Sequence, residues 1–157
     1  MLIIRDRTNG EYKLPRGRKD WDETLEAAAE RETFEESGVR CRLLPVPVQT
    51  RATPPKQHPL LSMAAFNDSG EVSLGVPLTE PFALMQHFQD NGALSVVFFF
   101  VASADSRVAF TGNTQNWDED YEAVWVPFGD VETLLQDKTY AGIAKKGIEL
   151  AKLVENE

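Results

Sequence analysis

Cysteine is nearly absent from this chain: Cys41 is the single one in 157 residues. An internal disulfide framework and a cysteine-only metal cage are therefore excluded, and such scarcity fits a reducing compartment. The two histidines, His58 and His87, lack a serine or cysteine in triad-like context, so nothing points to nucleophilic catalysis. A phosphate loop of the form Gly-x4-Gly-Lys-Ser/Thr is missing, which argues against a kinase or ATPase. Long apolar runs are missing too. The longest, Ala93 to Ala104, is broken by Ser95 and Ser103 and is too short to span a bilayer. The opening MLIIRDRTNG meets charge at its fifth residue, leaving no room for the apolar core of a secretory signal. The expectation is a soluble, cytoplasmic chain without a membrane partner.

What is present reads as an ordinary globular balance. Hydrophobic residues make up 42% and charged residues 26%, enough apolar material to exclude wholesale disorder. The length suits one domain, taken as 1–157. Net charge is −9, which argues against nucleic-acid partners. The charge is unevenly placed. Residues 1–19 hold six basic and two acidic side chains, whereas the remainder holds ten basic and 23 acidic. A basic edge abuts an acidic body.

Leu2–Ile4 and Tyr12–Leu14 read as short strands around Asn9-Gly10, a pair suited to a hairpin turn. Asp20 to Ser37 reads as a helix, with Asp20 or Asp22 as its cap, Glu23 placed for a capping box and Gly38 as the stop. Val39–Leu44 is β-like. Residues 45–82 carry seven of the nine prolines and read as a long functional loop. Pro81–Gln89 and Leu94–Ser103 form a hairpin around Asp90-Asn91-Gly92. Its second member, apolar on both faces, is expected to be a central strand. Tyr121–Phe128 is a further strand, and Val131–Gln136 and Thr139–Val154 are helical. Cys41 reads as a small buried hydrophobe. There is no internal repeat and no low-complexity tract.

The first helix carries a conflict. Its stripe begins with Leu25, Ala28 and Ala29, then passes through Glu32, Glu35 and Glu36 before Val39. At about 100° per residue these carboxylates share an arc of roughly 100°. Either they face water, as charge runs usually do, or a hard divalent cation sits among them.

Their surroundings favour the cation. From Gly17 the order is Gly, five residues, Glu23, seven residues, Arg31-Glu32, two residues, Glu35-Glu36, one residue, Gly38. This resembles the Nudix box, the signature of the Nudix hydrolases. Seven specified identities make chance agreement about one in a million for such a length. Thr33 replaces the apolar residue expected after Arg-Glu. The preceding YKLPRGRKD is similar to the Leu-Pro-Lys-Gly segment of many members, with Arg16 at the lysine position, and YEAVWVPF followed by two helices resembles the family's closing elements. The strand with which family domains normally begin is absent or much shortened.

The resemblance implies an α/β/α sandwich with a mixed, curved β-sheet. It implies hydrolysis of a diphosphate linked to another moiety, with Mg²⁺, or Mn²⁺ in its place. Glu32, Glu35 and Glu36 would supply metal and general-base carboxylates, the backbone of Arg16 or Gly17 a further ligand, and Glu119 or Glu122 a later one. Arg31 and Glu23 would orient the box, Arg31 pairing with Glu35. Arg16, Arg18, Lys19, Arg51 and Lys56, with His58 nearby, would hold phosphates. Such a set favours a densely phosphorylated small molecule, such as a diphosphoinositol polyphosphate or a dinucleoside polyphosphate. Phe66 and Phe82 could stack on a base or fill local core. Two other readings compete: a Nudix-fold binding module without turnover, and a structural protein docking through its acidic helix. The oligomeric state is open, a dimer included, because an unpaired strand edge invites a partner.

Overall fold

The computed structural model describes residues 1–48, 65–66, 72–73 and 77–155. In chain order the elements are β1 (Leu2–Asp6), β2 (Tyr12–Lys13), α1 (Leu25–Ser37), β3 (Arg42–Leu43), β4 (Ala65–Phe66), β5 (Val72–Ser73), β6 (Ala83–Phe88), β7 (Leu94–Phe99), β8 (Ala102–Ser103), β9 (Tyr121–Trp125), α2 (Val131–Leu134) and α3 (Lys138–Glu155).

Strand β1 lies between β2 and β9, antiparallel to both. The β1–β2 turn closes where expected. Gly10 takes φ +78°, and its N–H donates to the Asp6 carbonyl at 2.7 Å. Successive β1 side chains point to opposite faces, and both central ones are buried. Ile3 packs with Leu14, Phe99, Val131, Leu135, Ala141 and Ala144, against the C-terminal helices. Ile4, equally buried, lies on the other face, where α1 contacts β1 and β9. The sheet is thus covered on both sides by helices, the layering expected. In place of one mixed sheet, the described ladders are short and antiparallel: β2-β1-β9, β3-β8, β4-β5 and β6-β7.

Three sequence expectations need correction. Helix α1 begins five residues late, because Asp22 holds a left-handed φ of +60°, which no α-helix accommodates. Thr24 is the N-cap instead, its hydroxyl accepting from the Ala27 N–H. Strand β7 is not central among the described residues: it pairs with β6 alone. Only its alternate residues Val97 and Phe99 reach the core, while Leu94 and Val96 are exposed. Finally, the β-like stretch after α1 shrinks to two residues, Arg42–Leu43, paired with β8. Phe82 is settled as core. It packs against α3 at Gly147, where a Cβ would come within 3.1 Å of its ring. Cys41 is buried and unpaired.

Gly38 ends α1 as anticipated, with φ +69° and its N–H on the Phe34 carbonyl. It does more than cap. Its carbonyl accepts from the Thr111 N–H at 3.0 Å, and a Cβ there would meet the Thr111 carbonyl oxygen at 2.1 Å. Gly38→Ala therefore combines left-handed strain with a backbone clash. It should lower stability by about 2 kcal/mol or more, read as a fall of about 4–8 °C in Tm for a domain of this size.

Candidate active site

The acidic helix meets two loops, 15–24 and 111–120. Together they wall a cavity of about 510 Å³ lined by Arg16, Gly17, Arg18, Asp20, Arg31, Glu32, Glu35, Glu36, Asn116, Asp118, Glu119 and Tyr121. Most residues singled out from the sequence converge here.

Arg31 organises the near wall. Its guanidinium grips Glu23 with two bonds, Nε to Oε1 at 2.8 Å and Nη2 to Oε2 at 2.9 Å. Nη1 reaches Glu32 at 2.9 Å and Glu35 at 3.0 Å, while Nη2 also donates to the Arg18 carbonyl at 2.9 Å. A planar fork fits such a set of acceptors. The Arg31 bonds hold the Glu23 carboxyl down at about 2.

The three helix carboxylates are not a solvated face. Glu36 is 4% exposed and Glu32 is 9% exposed; Glu35 is partly buried. Burial pushes the Glu36 carboxyl up to about 8, against the opposing bond from the Arg16 N–H, which reaches its Oε2 at 2.7 Å. Burial also raises Glu32. The need for glycine at 17 is visible: a Cβ would fall 1.9 Å from the Glu32 carboxylate. The neighbour that excludes a side chain is therefore Glu32 itself.

Glu119 and Glu122 separate. Glu119 lines the cavity, close enough for its charge to raise both Glu32 and Glu36. Glu122 faces away on β9, 3.8 Å from Arg5, so its assignment as a ligand is corrected. Gln115, which the sequence reading passed over, anchors the far loop. Its amide donates to the Glu36 and Tyr121 carbonyls at 3.0 and 2.8 Å, and its oxygen accepts from the Tyr121 N–H.

Among the basic residues, Arg16, Arg18 and Arg31 line the cavity. Arg31 is committed to carboxylates, and Arg16 donates to the Tyr140 hydroxyl and lies over that ring. Lys19 turns its ammonium onto the Asp20 carbonyl and is not part of the lining, a correction to the phosphate-binding set. Among the described residues, none of Arg16, Arg18 and Lys19 makes an ion pair; Arg18 lines the cavity without a side-chain partner. Arg51, Lys56, His58 and the Phe66 side chain lie outside the described residues.

Three basic side chains thus face six acidic ones, Asp20, Glu32, Glu35, Glu36, Asp118 and Glu119. Such a wall repels a phosphate until its charge is offset. The donor set suits a hard cation: carboxylate oxygens, two groups of them buried where an uncompensated charge is costly. Among the described residues, no three acidic, histidine or cysteine side chains stand together closely enough to form a preassembled metal cage.

A second signal went unread in the sequence. Asp20-Trp21-Asp22-Glu23 recurs as Asn116-Trp117-Asp118-Glu119, and both copies close with the same two hydrogen bonds, although Asp22 has a left-handed φ of +60° and Asp118 does not. In each, the fourth residue's N–H donates to the first carbonyl, and the fourth carboxylate accepts from the first N–H at 2.9 Å. Trp21 and Trp117 project from these turns almost wholly into solvent.

The NUDIX domain model matches residues 1–148. The fold is similar to that in "Crystal structure of a hydrolase, NUDIX family from Clostridium perfringens", with a TM-score of 0.61 at 17% identity, over 96% of this chain and 88% of that one. No curated protein matches. These findings define an α/β Nudix fold. The chain belongs to the NUDIX domain family, and is a hydrolase of phosphoanhydride-type bonds acting on small phosphorylated substrates. Among the described residues, no helix is long and apolar enough to cross a membrane.

The raised Glu36 carboxyl carries a pH signature. Below its ordinary 4.5 the group is protonated whether folded or not. Between 4.5 and about 8 the folded chain keeps the proton and the unfolded chain has released it. Glu36 therefore contributes stability at low pH that is lost as pH rises through that window, by up to about 1.4 kcal/mol per pH unit. Thermal melts in chelator from pH 5 to 8.5 should show Glu36→Gln gaining on wild type as pH rises.

Proposed function

We propose that this chain, acting as one domain over 1–157, is a Mg²⁺-dependent pyrophosphohydrolase of the cytoplasm, with Mn²⁺ able to substitute. Its substrate is a diphosphate linked to another moiety, drawn from the densely phosphorylated class that includes dinucleoside polyphosphates and diphosphoinositol polyphosphates. The observation that carries this reading is the burial of Glu32 and Glu36 beside Gly17 in an acid-rich cavity.

Glu32, Glu35, Glu36 and Glu119 would hold the cation, with the Arg16–Gly17 backbone beside them. When bound, Mg²⁺ offsets phosphate charge and lowers the pKa of a water that attacks in line. The chain's own residues do the rest. Arg31 fixes the orientation of Glu32 and Glu35 through one nitrogen. The Arg16 N–H holds one oxygen of Glu36, leaving the other as a proton acceptor toward the cavity. Arg18 meets a substrate phosphate oxygen.

A panel of dinucleoside polyphosphates, ADP-ribose and diphosphoinositol phosphates, with and without Mg²⁺, tests the reading. Turnover is expected only with the ion. Glu35→Gln and Glu36→Gln should each lower it by about 10² or more, while leaving the fold intact in circular dichroism. Ligand binding by calorimetry with no product after long incubation would instead identify a binding module.

A further inference from the structure

Residue 16 is held at both ends. Its backbone N–H donates to Glu36 on α1 at 2.7 Å. Its guanidinium donates through Nη1 to the Tyr140 hydroxyl on α3 and lies 5.3 Å from the centre of that ring. One residue thus bridges the helix that carries the acids and the C-terminal helix. Tyr140 is itself fixed. Phe99, a buried core residue, meets its ring edge-on at 5.9 Å. The Asp137 carboxylate accepts from the N–H groups of Thr139 and Tyr140 at 2.7 and 3.3 Å, which sets the first turn of α3. The choice of partner is what matters chemically. Arg16 lines the cavity together with six acidic residues, and its charge is felt by Glu36. A loose guanidinium there would be drawn onto a carboxylate. It rests instead on a phenol oxygen and a ring face supplied by another element.

We propose that Tyr140 is a positioning residue for phosphate binding: it holds the Arg16 guanidinium at the cavity wall, clear of the acids, for a phosphate of the substrate. The inference rests on the hydrolase reading above and adds a residue to it. A guanidinium carries five N–H donors. The Tyr140 hydroxyl takes one of them, and the others have no acceptor among the described residues. A carboxylate at position 140 would hold Arg16 as firmly but would cancel its charge. The phenol leaves that charge for phosphate. Fixing the side chain before substrate arrives also removes the ordering cost that a free arginine would incur on binding. The Glu36 contact comes from the Arg16 backbone, so loss of the side-chain clamp leaves it in place.

Tyr140→Phe separates hydroxyl from ring: it keeps the packing against Phe99 and the ring beneath the guanidinium, and loses only the acceptor. The probe is methylenediphosphonate, a diphosphate mimic that resists hydrolysis, titrated by calorimetry with Mg²⁺ in excess. Tyr140→Phe should bind it about 3- to 10-fold more weakly than wild type. In an Arg16→Ala background the same change should cause no further loss, because a positioning residue acts only through the side chain it positions. A merely structural role would weaken both backgrounds alike. On any compound of the panel that is turned over, KM should rise by the same factor with kcat unchanged. Failure of the wild type to bind the probe, unchanged affinity in Tyr140→Phe, or an equal loss with and without the Arg16 side chain would overturn the proposal. Turnover by wild type beside unchanged affinity in the variant rejects the role of Tyr140 alone. A loss in Tyr140→Phe without turnover on the panel rejects the hydrolase reading alone.

Discussion

The structure depends on one guanidinium. Arg31 touches four acceptors: Glu23, Glu32, Glu35 and the Arg18 carbonyl. Without a cation at that point, three carboxylates would face one another at the foot of the cavity. With it, the loop before α1 is tied to the helix at two points, Glu23 and the Arg18 carbonyl. Its bidentate bond to Glu23 also explains why the helix begins late. Residues 20–23 are held as a separate turn, with Asp22 left-handed, rather than as the first turn of α1. A lysine there could supply charge, but not the planar fork that satisfies these acceptors together.

Glu36 is governed by the opposite circumstance. It has no guanidinium, only the Arg16 N–H, and it is more deeply buried than its neighbours. Its environment favours the neutral acid, whereas Glu23, bound twice by Arg31, is kept ionised well below neutrality. Two carboxylates on adjoining elements are thus driven to opposite protonation tendencies, Glu23 by its guanidinium partner and Glu36 by burial. Carboxyls whose protonation tendencies are pushed apart in this way cluster at functional sites.

Much of this was legible in the sequence because it is local. The Gly17 to Gly38 spacing, the Asn9-Gly10 turn and the β1, β2, β9 and α3 segments all follow from short-range chemistry. What was misread depends on tertiary context. The capping expectation failed because Asp22 turns left-handed, so residues 20–23 close as a separate turn in which Glu23 still accepts from the Asp20 N–H. The run LSVVFFF seemed central on hydrophobicity alone, yet its pairing with β6 leaves alternate side chains in water. Sequence does not reveal that Arg16 is engaged by Tyr140, 124 residues distant. The Trp-Asp-Glu repeat was legible in letters but too short to register as a repeat. Only its identical hydrogen bonding gives it meaning.

The far loop shows how the fold converts these local features into one site. Loop 111–120 has no regular structure of its own, yet it is fixed at its start and its middle to the same helix terminus. Thr111 donates to Gly38, and Gln115 spans the Glu36 carbonyl and the start of β9. Helix carbonyls at a C-terminus need such partners, so the loop's anchoring satisfies the helix and also delivers Glu119 to the cavity. The left-handed Gly38 is what brings those carbonyls within reach. A glycine that looks like a simple helix stop in the sequence therefore sets the distance between the two walls of the site.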